Sequence, residues 1–174
     1  MKKYELTEET KAIDGHTLYR IKALKDFGYI KSGDLAGWVE SEENLSHEGE
    51  CWISDEACVF DNARVFGNAH IFGYSCVCDN ANVTDNAHVC DNAYISGNVC
   101  IFCNALVSGH AQVFGDAYVY GNAYISDNAH VFGNALVLGT TRVCGDALVS
   151  DNARVAGIVR VGGESKICGD SFIC

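Results

Sequence analysis

The chain contains no proline, and its 174 residues include one methionine and two tryptophans. Without proline, no position is barred from donating a backbone hydrogen bond, so a ladder of strands can run unbroken. Positive charge is also scarce: 12 Lys and Arg stand against 23 Asp and Glu, a formal net charge of −11. Such a surface excludes binders of nucleic acid or anionic membranes that work through a basic patch, and it suits a basic protein partner better. No stretch approaches the ~18 apolar residues of a membrane span. The start, MKKYELTEETK, has lysines with no apolar run behind them, unlike a signal peptide. The expectation is a cytoplasmic protein with no membrane partner and no direct nucleic-acid binding. Ten cysteines in a short secreted chain would suggest a disulfide framework, but here they follow a repeat and no export signal precedes them, so reduced thiols are expected.

What the sequence has in abundance is a period. From Ile53 to Ile173 every sixth residue is Val or Ile, 21 positions without an exception or an insertion. Two residues before most of them stands Ala, with Cys51, Ser75, Val99 and Thr141 among the variants, and two residues after comes Gly or Asp, usually followed by Asn. In an extended strand the small residue and the aliphatic point to the same side, which must be the core. Gly-Asn and Asp-Asn tolerate positive φ and turn the chain, so each hexapeptide is a short strand plus a corner. A strict period of six cannot hold one face of a 3.6-residue helix over such a length. At 18.8 kDa the chain fits one solenoid over residues 51–174 and an N-terminal cap over residues 1–50.

Units such as Val65-Phe66-Gly67-Asn68-Ala69-His70 resemble those of the hexapeptide-repeat superfamily. The resemblance implies an all-β fold, a single-stranded left-handed parallel β-helix of about seven triangular coils, each made of three hexapeptides, with a small β-rich cap at the N-terminus. The left hand comes from the resemblance alone, since the general preference for right-handed crossovers points the other way. Three hexapeptides per coil would stack residues 18 apart, such as His70 on His88, Cys58 on Cys76 and Arg142 on Arg160. One corner column reads Asp55, Gly73, Asp91, Gly109, Asp127, Gly145, Gly163, an alternation that would keep carboxylates two coils apart, although Asp61 over Asp79 breaks it. The cap contains Lys11-Ala12-Ile13, Asp14-Gly15 and a run from His16 to Leu24 that reads as a hairpin. Trp38, Val39 and Leu45 are expected to cover the first coil. Stretches of this leader, among them Gly33-Asp34-Leu35-Ala36-Gly37-Trp38-Val39, are similar to those of poorly characterised bacterial and prophage hexapeptide-repeat proteins.

Many members of the superfamily are trimeric acyltransferases that bind an acyl-CoA or acyl-carrier donor between prisms, with a histidine general base and loops inserted between hexapeptides. His70, His88, His110 and His130 are available, yet no loop interrupts the repeats from Ile53 to Ile173. Acyl transfer from an acyl-CoA is therefore the alternative reading, and no catalytic residue, cofactor or metal is expected. Cys76 and Cys78 would point outward on one strand and Cys103 would fall at a corner, which is not a structural zinc pattern. Gly162-Gly163 is a corner rather than a phosphate loop.

Surface character is more informative. No Asp or Glu flanks any of the 21 core aliphatics. One face would carry Cys100, Phe102, Tyr118, Tyr120, Leu136 and Leu138, an apolar patch of the kind that marks an interface. A second would show Phe60, Tyr94, Phe114, Phe132 and Leu148. A last coil ending at Phe172-Ile173-Cys174 would leave strand edges to be paired. The resulting expectation is a non-catalytic, self-associating solenoid, a dimer or trimer with Phe102, Tyr118, Tyr120, Leu136, Leu138, Phe172 and Ile173 at its interfaces. Its leader suggests a phage or prophage accessory factor that binds protein, with inhibition of a host defence system as one version.

Overall fold

The computed structural model describes residues 2–174. Two antiparallel strands open the chain, β1 (Tyr4–Ile13) and β2 (His16–Ala23), followed by β3 (Leu35–Val39) and a single 3-10 turn at Glu42–Asn44. The hairpin turn is Asp14-Gly15 as expected, both at positive φ. Twenty-one two-residue strands then run from Trp52–Ile53 to Phe172–Ile173, each ending on one of the periodic aliphatics. They stack into three parallel sheets that form the faces of a prism, a left-handed parallel β-helix. We call them the long face, which continues β1, β2 and β3 through Cys58–Val59 to Lys166–Ile167; the histidine face, from Trp52–Ile53 to Arg160–Val161; and the tyrosine face, from Arg64–Val65 to Phe172–Ile173.

Within the repeats the register is 18 residues: His70 pairs with His88, Cys58 with Cys76 and Arg142 with Arg160. The core is the stack of Val, Ile and Ala these pairings enclose, fully buried from Val39 to Val155. Each aliphatic so enclosed contributes about 1.5–3 kcal/mol of transfer free energy, so the ladder is held by many equal increments. Ser75 and Thr141 replace Ala without leaving an orphan hydroxyl, because each donates to the carbonyl three residues back, Phe72 at 2.8 Å and Leu138 at 2.7 Å.

Every corner residue from Asp55 to Gly169 has positive φ. The corner carboxylates are not merely kept apart. Each accepts a hydrogen bond from the backbone N–H of the corner one coil on, as Asp55 does from Gly73 (3.0 Å), Asp91 from Gly109 (2.9 Å) and Asp127 from Gly145 (2.9 Å). The same bond lets Asp61 sit beneath Asp79, at 3.3 Å, which explains the pair that breaks the alternation. Beside them run ladders of Asn amides, Asn62 to Asn80 to Asn98 and Asn68 to Asn86 to Asn104.

The prism has about eight coils rather than the seven counted from the period. Trp38 and Val39 pair in parallel with Cys58 and Val59, and Leu45 bridges Val65, so residues expected to cover the first coil already form part of one. These partners are 20 apart instead of 18; two extra residues in the bend after Leu45 hide the coil from a search at fixed period. The cap proper is fastened by Lys3 and Tyr4. Lys3 is fully buried and donates from Nζ to the Cys51 carbonyl at 2.8 Å, while the Tyr4 hydroxyl donates to the carbonyl of Leu45 at 2.8 Å. Among the described residues, no helix is long and apolar enough to cross a membrane.

Candidate functional site

The segment between β2 and β3 folds back on the first coils of the histidine face. Phe27 and Ile30 pair through their backbones in both directions, at 3.1 and 2.8 Å, around Gly28 at φ 50°. Ile30 is buried, and Phe27 meets the Trp52 ring edge-on, with centroids 5.1 Å apart. These two anchors leave Tyr29 at the apex of the turn, where its ring overhangs the solenoid.

Beneath it lies His70. The two rings stack with centroids 5.5 Å apart, and the Tyr29 hydroxyl is 2.9 Å from His70 Nδ1. His88 continues the column at 5.5 Å from His70 and 14° from parallel, because 18-residue pairing puts the two histidines side by side. Phe72 closes one side with its ring edge toward His88. The result is a groove of about 620 Å³, walled by Tyr29, His70, Phe72 and His88, with Glu50 and Asp55 among its polar lining. Burial, and then the neighbouring His88, hold the His70 imidazole below the ordinary histidine range, so it is neutral at neutral pH. In the tautomer whose Nδ1–H donates to the Tyr29 hydroxyl oxygen, the neutral imidazole keeps a lone pair on Nε2 that can accept a proton.

No protein-family profile matches the chain. Over 64 residues it is 39% identical to a protein of Escherichia coli (strain K12) described as the uncharacterized acetyltransferase YdcK, a match that covers 32% of this chain and 20% of the relative. The repeat, the three-faced ladder and this similarity agree. Together they make the chain a parallel β-solenoid consistent with membership of the hexapeptide-repeat superfamily.

In this hexapeptide-repeat protein the other sequence candidates are scattered. His110 is at an exposed corner and His130 lies on the long face between Gln112 and Leu148, away from the groove. Cys76 opens the strand Cys76–Val77 and Cys78 directly follows it, while Cys103 sits at a corner with φ 61°. All ten cysteines are free thiols. The tyrosine face does bring Phe102, Tyr118, Tyr120, Leu136 and Leu138 together: Tyr118 pairs with Leu136, and the Phe102 and Tyr120 rings stack at 4.8 Å. Phe172 continues this column, paired with Arg154, and is 64% exposed, whereas Ile173 is half-buried. The second face differs from expectation at one end. Phe60 is buried, because the hairpin tip curls over it and packs Leu18 and Trp38 around it with Cys58 and Cys78.

Tyr29 was missed at the sequence level because it belongs to no repeat. Its only signal is an exposed aromatic beside a glycine in a loop, which specifies no partner 41 residues away.

Proposed function

We propose that the protein is an acyltransferase of the hexapeptide-repeat kind, with the groove beneath Tyr29 as acceptor site and His70 as general base. The observation that carries this reading is the Tyr29–His70 contact. The expectation against catalysis rested on the lack of loops between hexapeptides, and here the overhang comes from the cap instead. The similarity to an uncharacterized acetyltransferase of E. coli supports the same class. In the step envisaged, neutral His70 takes the proton from an acceptor hydroxyl or amine, the acceptor attacks the thioester carbonyl, and the CoA thiolate leaves and is protonated. Glu50 and Asp55 suit an acceptor carrying positive charge. Acyl-CoA donors are cytoplasmic, so a cytoplasmic location goes with this reading.

The test is calorimetry with acetyl-CoA and succinyl-CoA, followed by thiol release over a panel of amines and sugars. Saturable donor binding is expected, and His70→Ala should reduce turnover by roughly 10²–10⁴ while His130→Ala leaves it unchanged. Absence of donor binding, or turnover equal in His70→Ala, would overturn it.

A second reading, a non-catalytic solenoid that binds protein and associates with itself, is favoured by the stacked rings of the tyrosine face. It predicts a mass above 18.8 kDa in light scattering. Tyr120→Lys should release monomers if copies pack side by side, and Ile173→Lys if they meet end to end. The prophage role and a host-defence target rest on the leader's resemblance alone; affinity capture from host lysate tests them.

A further inference from the structure

On the edge between the long and tyrosine faces, three segments converge that the groove does not use. His16 is the first residue after the hairpin turn, Glu40 follows β3, and Asp61 is the corner one coil further on. His16 Nδ1 lies 3.0 Å from Glu40 Oε1, and His16 Nε2 lies 3.4 Å from Asp61 Oδ1. One donor atom from each of the three residues falls within 4.8 Å of the others. The His16 ring is backed by Phe60, at 5.0 Å, and all three residues are half-buried.

The carboxylates are not free to swing. Glu40 Oε2 accepts from the Asp61 backbone N–H at 2.8 Å, the bond that an aspartate makes at the other corners, and Asp61 Oδ2 accepts from Asp79 N–H at 3.3 Å. Each acid thus spends one oxygen on the ladder and keeps the other near the imidazole, Glu40 hydrogen-bonded at Nδ1 and Asp61 close on the Nε2 side. Two carboxylate oxygens held this close need a cation beside them. Orientation of donor atoms by hydrogen bonds behind them is what distinguishes a built metal site from a chance cluster.

We propose that His16, Glu40 and Asp61 bind a divalent transition-metal cation of the zinc class, which staples the hairpin tip to the first two coils. One imidazole nitrogen and two carboxylates form a borderline donor set, with the remaining coordination positions left to water. A proton competes for the same place. The hydrogen bond to Glu40, with Asp61, Glu40 and Asp14 nearby, raises His16 above the ordinary histidine value. These acids and the Phe60 ring are the groups that face it.

Cobalt(II) is the probe, because ten thiols would take up zinc indiscriminately. With the full chain stripped by chelator, one equivalent should bind near pH 8, giving ligand-field absorption without a sulfur-to-metal charge-transfer band. Asp61→Asn, which keeps the shape, and His16→Ala should each weaken binding on the order of tenfold or more, with folding checked by circular dichroism. Cys76→Ser should bind as the unmodified chain does. A sulfur charge-transfer band, binding that survives both substitutions, or no saturable binding by the unmodified chain would overturn the site. The last result would leave His16 a protonated clamp and nothing more.

Discussion

At its N-terminal end the prism is closed by a hairpin, a fully buried lysine and the rings of Tyr4 and Trp52, whereas the residues of the last coil past Val161 are exposed or only partly buried. Val39 and Leu45 are fully buried, yet Ile167 and Ile173 are only half-covered although they obey the same period. The small inward position changes with them: Ala is buried in coil after coil, but Ser165 and Ser171 in the last are exposed. A repeat residue draws its stabilisation from the coils on either side, so identical hexapeptides differ in worth according to their neighbours. At the N-terminal end, sequence that leaves the period supplies the missing neighbours.

The contrast is broken most directly by one charge placed twice. Val107→Asp, at mid-prism, should cost at least ~3 kcal/mol in denaturant unfolding, since it places a carboxylate among aliphatics. Ile173→Asp should cost under about 1 kcal/mol. Equal costs would mean that the last coil is covered in solution, and light scattering would then show an assembly. The closed end is probed by Lys3→Ala, which removes the donor to the Cys51 carbonyl and leaves a void beside Phe27. A loss of about 2 kcal/mol is expected, and a loss near zero would mean that the lysine does not fasten the cap.

A smaller effect tests the uniform middle. Cys103 has the left-handed backbone that Gly or Asp occupies at the other corners from Asp55 to Gly169. Cys103→Gly should stabilise by about 1 kcal/mol, since the strain of a β-carbon at positive φ is relieved and the N–H still reaches Asp85. The smallest effect concerns His16. Its raised pKa means that its contribution is fully present below the ordinary histidine range and is lost as pH rises through the raised value. His16→Gln should therefore destabilise more at about pH 6 than at about pH 9, read as a shift in midpoint. The opposite order would remove the Glu40 and Asp61 contacts from solution.

The same division explains what could be read from the sequence. The 21 aliphatics and their small partners give strands, corners and stacking, because packing in a solenoid is local and periodic. The eighth coil escaped because two residues in the bend after Leu45 shift the phase. Phe60 looked exposed because alternation reports the side of a strand, and nothing in the repeat announces that a hairpin from residues 4–23 will lie over it. Both candidate sites draw on the cap: Tyr29 reaches His70, and His16 reaches Glu40 and Asp61. Such pairings depend on how an aperiodic segment folds back, which no spacing rule supplies.

The 18-residue register also sets a unit of inheritance. Deleting or duplicating 18 residues inside the prism returns every later side chain to its own face and every corner aspartate to an N–H it can accept from. A change of six or twelve leaves the core intact but turns everything beyond it onto a different face. Lineages of this chain should accordingly vary in length by whole turns, with the histidine column and the stacked tyrosine face preserved together or displaced together.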